Sequence, residues 1–122
     1  MNDKELVFAI STSLSQVLAK NNIRLTGSFF DPIRHYAAAT WENAELAIEV
    51  YSDPMSGEVN CRIKKYGKND DKGKWSYIYE EIPMTAEEIK VAHTSVRSEK
   101  EQLNGIVEKL KLFLMRNENY GH

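Results

Sequence analysis

The sequence predicts an α+β fold: an N-terminal helix, an antiparallel meander sheet of four to five strands, and a C-terminal helix or helix pair packed on one sheet face. Three observations predict it. Residues 44–66 (AELAIEVYSDPMSGEVNCRIKKY) alternate apolar and polar on both sides of a Pro/Gly turn, the period-two pattern of half-buried strands. The segments before and after the strand region repeat apolar residues every three or four positions, the stripe of an amphipathic helix. Thr85 and Glu88 form a T-x-x-E capping box after Pro83, a helix start placed where the strand pattern ends. Helices that flank an antiparallel sheet in sequence gather on one of its faces.

Taken in order, the first helix is expected from Asp3 to Lys20. Leu6, Ile10, Leu14 and Val17 make its stripe, Asn2 or Asp3 caps it, and Asn21-Asn22 stops it, since Asn tolerates the left-handed conformation. Ile23–Phe30 alternates and reads as a strand that Asp31-Pro32 breaks. Residues 34–40 fit a strand or a helix, because the alanines favour helix while the short length and the following turn favour strand. Trp41-Glu42-Asn43 is expected to be a tight loop.

The central hairpin follows. Leu46, Ile48 and Val50 face inward from one strand, and Val59, Cys61 and Ile63 from the other. Inward positions are even on the first strand and odd on the second, so opposed residues must have an odd sum. A one-residue slip would turn the inner set toward water. One allowed register sets Glu49 opposite Arg62 on the outer face, a pair contributing a few tenths of a kcal/mol, on the order of 0.2–1.

Gly67–Lys74 (GKNDDKGK) reads as a polar, mobile loop and Trp75–Ile82 (WSYIYEEI) as a further strand, with Trp75, Tyr77 and Tyr79 on one face. After the capping box, with Met84 and Ile89 placed for a hydrophobic staple, a helical stripe runs through Ile89, Ala92, Val96, Leu103, Ile106, Leu110 and Phe113. A single helix from Ala86 to Asn117 would be about 48 Å long, longer than a compact domain of this size. A break is therefore expected within Arg97–Gly105. The alternative is a continuous helix that projects to pair with a partner.

Length and composition bound the function. The 122 residues are expected to form a single domain, 1–122. Net charge is −2, which implies no general attraction to nucleic acid or anionic membrane. Cys61 is the one cysteine, so no internal disulfide can form and a reducing compartment is expected. The start MNDKELVFAIS lacks the charge pattern of a secretory signal, and no apolar run approaches the about 20 residues of a membrane span. A cytoplasmic location without membrane association is expected.

No enzyme is expected either, and neither catalytic residues nor a cofactor nor a metal site is assigned. His35, His93 and His122 are scattered, and Cys61 has no neighbouring His or Cys. Asp70-Asp71, Glu80-Glu81 and Glu87-Glu88 are adjacent carboxylates, and catalysis needs two environments that split their pKa values. Lys64, Lys65, Lys68, Lys72 and Lys74 beside Tyr66 and Trp75 suggest phosphate and base contacts. Asp70 and Asp71 cancel much of that charge, so a nucleic-acid accessory role ranks third. Better interface material lies among Trp41, Phe30, Tyr51, Tyr77 and Tyr79, aromatic residues rimmed by glutamates.

An N-terminal helix, Gly27-Ser28-Phe29-Phe30, and L-A-I-E-V-Y-S-D-P-M-S-G-E-V over residues 46–59 together resemble small bacterial immunity proteins of polymorphic-toxin and contact-dependent growth inhibition systems. The resemblance covers roughly residues 27–66 and carries over no functional residue. It implies a cytoplasmic, non-enzymatic protein that binds and neutralises one cognate protein toxin, blocking its active site or substrate surface. A nuclease is one such toxin, its basic surface meeting Glu and Asp. The partner-binding residues assigned are Trp41, Glu42, Glu49, Tyr51, Tyr77 and Tyr79. The alternative is a non-enzymatic adaptor or structural protein that dimerises through its C-terminal helix.

Overall fold

A computed structural model describes residues 1–66, 74–94 and 97–118. The chain folds as an N-terminal helical segment, a five-stranded antiparallel sheet and C-terminal helices packed against it, an α+β architecture. The strands follow one another across the sheet as a meander: β1 (Arg24–Asp31), β2 (Tyr36–Glu42), β3 (Leu46–Asp53), β4 (Glu58–Lys65) and β5 (Trp75–Tyr77). The predicted loop Gly67–Lys74 lies, apart from Lys74, outside the described residues.

The N-terminal segment is two helices, α1 (Asp3–Ser13) and α2 (Ser15–Lys20), rather than one. Leu14 joins them with φ −117°, at the end of a run of Ser and Thr whose hydroxyls compete for backbone bonds. Asn2 is the cap, accepting from the Glu5 amide at 2.9 Å. The predicted stop at Asn21-Asn22 is where the helix ends, with Asn22 at φ 55°.

Residues 36–42 are a strand, which resolves the open choice for 34–40 and moves Trp41 and Glu42 out of the expected loop. The turn before β2 is held by Asp31, whose Oδ1 accepts from the amides of Ile33 and Arg34, and by His35 at φ 55°. Asn43 makes the next turn, its Oδ1 accepting from the amides of Glu45 and Leu46 at 2.8 Å each.

The hairpin register is Ile48 opposite Ile63 and Glu49 opposite Arg62, odd sums as parity requires. Leu46, Ile48, Val50, Val59, Cys61 and Ile63 are buried. Their face receives the helices: Leu6 and Ile10 of α1, Ile78 of α3 (Ile78–Glu81), and Leu103, Ile106, Leu110 and Phe113 of α5 (Glu99–Glu118) share one core with them. Burial pushes the Cys61 thiol well above its ordinary range, with Glu49 adding to it.

The expected strand 75–82 is shorter. Pairing with β4 ends at Tyr77, and the chain turns into the single-turn helix α3. Glu80 Oε1 accepts from the Tyr77 amide, so a local cap outcompetes the aromatic preference for strand. The capping box before α4 (Ala86–Thr94) forms in both directions: Thr85 N–H donates to Glu88 Oε1 at 3.1 Å and Glu88 N–H to Thr85 Oγ1 at 3.2 Å. The long C-terminal helix is broken, and α5 restarts at Glu99 on a second cap, the Glu101 amide donating to Ser98 Oγ. Val96 of the predicted stripe lies outside the described residues, so Arg97-Ser98 is the described part of the break.

Lys109 ties these pieces together. It is buried, and its Nζ donates to Glu88 Oε1 at 2.9 Å and to the Pro83 carbonyl at 3.3 Å, joining α5 to the start of α4. The bond from Lys109, then that from the Thr85 amide, holds the Glu88 carboxyl below the usual carboxylate range. A depressed folded pKa means stability that is present above the unfolded value and lost as pH falls through the folded one. Glu88→Gln should therefore lower the melting temperature at neutral pH. The gap to wild type should close as pH drops below about 4.3, the ordinary Glu value. Parallel melting curves across that range check it, and a gap independent of pH would contradict it.

Candidate interface on the open sheet face

The same parity that buries Ile48 and Ile63 turns every alternate residue outward. The outer face carries Phe29 of β1, Tyr36 of β2, Tyr51 of β3, Arg62 of β4, and Trp75 and Tyr77 of β5. The rings run across the strands as a row. Phe29 and Tyr36 have centroids 6.5 Å apart, and Tyr36 and Tyr51 are 6.1 Å apart with planes 22° from parallel. The Arg62 guanidinium lies 4.7 Å from the centre of the Trp75 ring. Such pairs contribute about 0.5–1.5 kcal/mol beyond buried area.

Glu49 and Arg62 sit in the middle of the face. Arg62 donates from Nε at 3.1 Å and from a terminal nitrogen at 2.6 Å, both to Glu49 Oε1. Burial alone would lower the Arg62 pKa, and the bonds to Glu49 reverse it. Toward one end, Glu42 accepts from Thr26 Oγ1 at 2.7 Å and from the Tyr66 hydroxyl at 3.3 Å. Lys64 lies over the rings of Tyr66 and Trp75, 5.6 and 5.7 Å from their centres. Its ammonium is thus held flat on the protein, and Lys68 and Lys72 of the expected basic loop lie outside the described residues.

The six residues assigned to the interface from sequence do not all lie together. Glu42, Glu49, Tyr51 and Tyr77 are on this face. Trp41 points the other way: it is 2% exposed in the core, its indole N–H donating to Ser11 Oγ of α1 at 3.3 Å. Tyr79 is in α3 and packs against the core. A Cβ added at Gly105 of α5 would come within 3.3 Å of its hydroxyl, so Tyr79 seats α3 on α5. Phe30 also turns inward and packs against the core. Phe29 and Tyr36 belong to the outer row and are absent from the six. Tyr36 was findable by parity once 36–42 was assigned to a strand.

The remaining candidates for chemistry stay apart. Among the described residues no three His, Cys, Asp or Glu side chains come close enough to hold a metal ion. His35 packs against Phe30, with ring centroids 6.3 Å apart. The side chain of His93 and all of His122, Asp70 and Asp71 lie outside the described residues. Among the described residues no helix is long and apolar enough to cross a membrane. A groove of about 410 Å³ between α1, α2 and β1 is bordered by Ser11, Leu25 and Trp41, and Arg24 is the one charged residue among those lining it.

The two tryptophan-and-tyrosine sets should separate in stability. Trp41→Ala should cost about 3–5 kcal/mol, as for a core aromatic. Tyr77→Ala, at a position 41% exposed, should cost about 1 kcal/mol or less. Urea unfolding of the two variants measures this, and equal costs would remove the distinction between core and open face. Comparison with family models, with characterised proteins and with solved structures finds no match to this chain.

Proposed function

We propose that this protein is an immunity-type inhibitor. It binds and neutralises a cognate bacterial toxin by seating the open sheet face on the toxin's active site or substrate surface. One observation supports this above the others. The outer face presents a row of rings from four strands, with an Arg–Glu pair at its centre, while the helices pack on the opposite side. Aromatic residues and Arg surrounded by polar groups are the side chains that dominate binding energy at protein interfaces. The role is non-enzymatic and needs neither cofactor nor metal, and the cytoplasm is its place of action.

The experiment is co-expression with the product of the neighbouring open reading frame. The expected outcome is copurification and protection of the cell. Tyr51→Ala and Tyr77→Ala should each weaken the complex by about 2 kcal/mol or more, some thirtyfold in Kd, without unfolding the chain. Absence of both copurification and protection would refute the inhibitor reading.

A second reading has its own observation. Leu112 and Met115 of α5 are 52% and 50% exposed, as a helix that dimerises would require. Sedimentation at micromolar concentration decides it: a dimer lost in Leu112→Ser supports the adaptor role, and a monomer removes it.

A further inference from the structure

The two ends of the outer face differ in how their charges are matched. Toward the Glu42 end both signs of charge are present: Arg24 stands opposite Glu42, Glu42 accepts from Thr26 and Tyr66, Lys64 lies on two rings, and Arg62 pairs with Glu49. At the hairpin end, Asp53 and Glu58 stand directly opposite each other on β3 and β4. Ser52 and Val59, the pair before them, are buried inward, so both carboxylates face outward. Among the described residues neither forms an ion pair.

Each carboxylate is held in place without being neutralised. Asp53 Oδ1 accepts from the Met55 amide at 3.2 Å, and Glu58 Oε1 accepts from Asn60 Nδ2 at 2.7 Å. Like charges directly opposed destabilise a strand pair. The turn does not require them, because Asn at 53 would accept the same amide and Gln at 58 the same Asn60 donor. Folding alone therefore leaves this pair unaccounted for.

Beside it stand three tyrosines from three strands. Tyr51 precedes Asp53 on the same side of β3, stacks on Tyr36, and has its hydroxyl next to Tyr77 and Glu58. The Tyr51 hydroxyl is raised by burial, then by Tyr77 and Glu58. Tyr36 is raised by burial, then by Glu49, and Asp53 adds to this. Arg62, already bonded to Glu49, and Arg34 of the β1–β2 turn oppose that rise without reversing it. Ring faces beside uncompensated carboxylates are the surroundings that attract a partly desolvated cation.

We infer that Tyr36, Tyr51 and Tyr77, with Asp53 and Glu58, form a seat for an arginine side chain of the partner protein. The inference rests on the outer face being the binding surface, and it specifies the partner's chemistry: a basic segment that inserts at the hairpin end. Arginine fits better than lysine because its planar guanidinium stacks on a ring while its edge donates to carboxylates. Arg62 on Trp75, with Glu49 at its edge, is the same contact made internally on the same face.

The test titrates the full chain at low ionic strength with acetyl-Arg-Gly-Arg-amide and with its citrulline counterpart, which has the same shape and no charge. NMR of the tyrosine rings is the readout. Saturable shifts at Tyr36, Tyr51 and Tyr77 are expected with the arginine peptide only. The double variant Asp53→Asn, Glu58→Gln should bind at least fivefold more weakly, with a melting temperature equal to or above wild type because the opposed charges are gone. The inference is overturned by no saturable shift, by equal binding of the citrulline peptide, or by undiminished affinity in the double variant. The probe needs no toxin, so the outcomes are separable. A chain that seats arginine but protects no cell refutes the inhibitor reading alone. A double variant that protects as well as wild type refutes the arginine seat alone.

Discussion

Ile48 and Ile63 face each other across β3 and β4 in the fully buried middle of the protein. Their pairing decides which side of each strand meets the helices. Burying one such side chain is favourable by about 1.5–3 kcal/mol, and the three inward residues of a strand move together if its register slips by one. A slip would also bring Glu49 or Arg62 into the core without its partner, and an uncompensated buried charge is strongly destabilising. The helices have no freedom in this. Leu6 and Ile10 from one end of the chain, and Ile106 and Leu110 from the other, converge on this apolar face.

The opposite face then has to exist in water without a cover. It does so by mixing rings with charge. Tyr36 stacks on Tyr51, Trp75 lies under Arg62, and Lys64 spreads over Tyr66 and Trp75. Each ring is thus partly shielded, while hydroxyls and charged groups stay accessible. This composition suits a face exposed to water, and a partner that covered it would desolvate the rings at a gain. The opposed Asp53 and Glu58 are the exception: they weaken the hairpin end that carries them, and a cation from outside would offset that.

Much of this was legible in the sequence. The hairpin's inner set, its parity and the Glu49–Arg62 register follow from alternation alone, because polar and apolar residues contrast sharply there. The contrast fails in Ala37-Ala38-Ala39, where alanine serves both faces equally. That is why Trp41 reads as a loop aromatic when it is a core residue, and why Tyr36 escapes notice. Tyr79 is misplaced for a different reason. Its neighbours favour strand by propensity, but the Tyr77 amide donates to the Glu80 side chain and the chain turns into a helix at Ile78, inside the strand expected to run to Ile82. The helix break is marked by Ser98 and Glu101, a capping signal hidden inside a polar run. The row of rings on the open face could not be read from residues singly, since it needs the order of five strands.

The central claim is that partner and helices occupy opposite faces of one sheet. Hydroxyl-radical footprinting of the protein, alone and in complex with the captured toxin, tests it most directly. The account predicts protection of Tyr36, Tyr51, Trp75 and Tyr77 on binding, with Phe8, Leu112 and Met115 on the helical side unchanged. Protection confined to Phe8, Leu112 and Met115, with the outer rings still reactive, would contradict it.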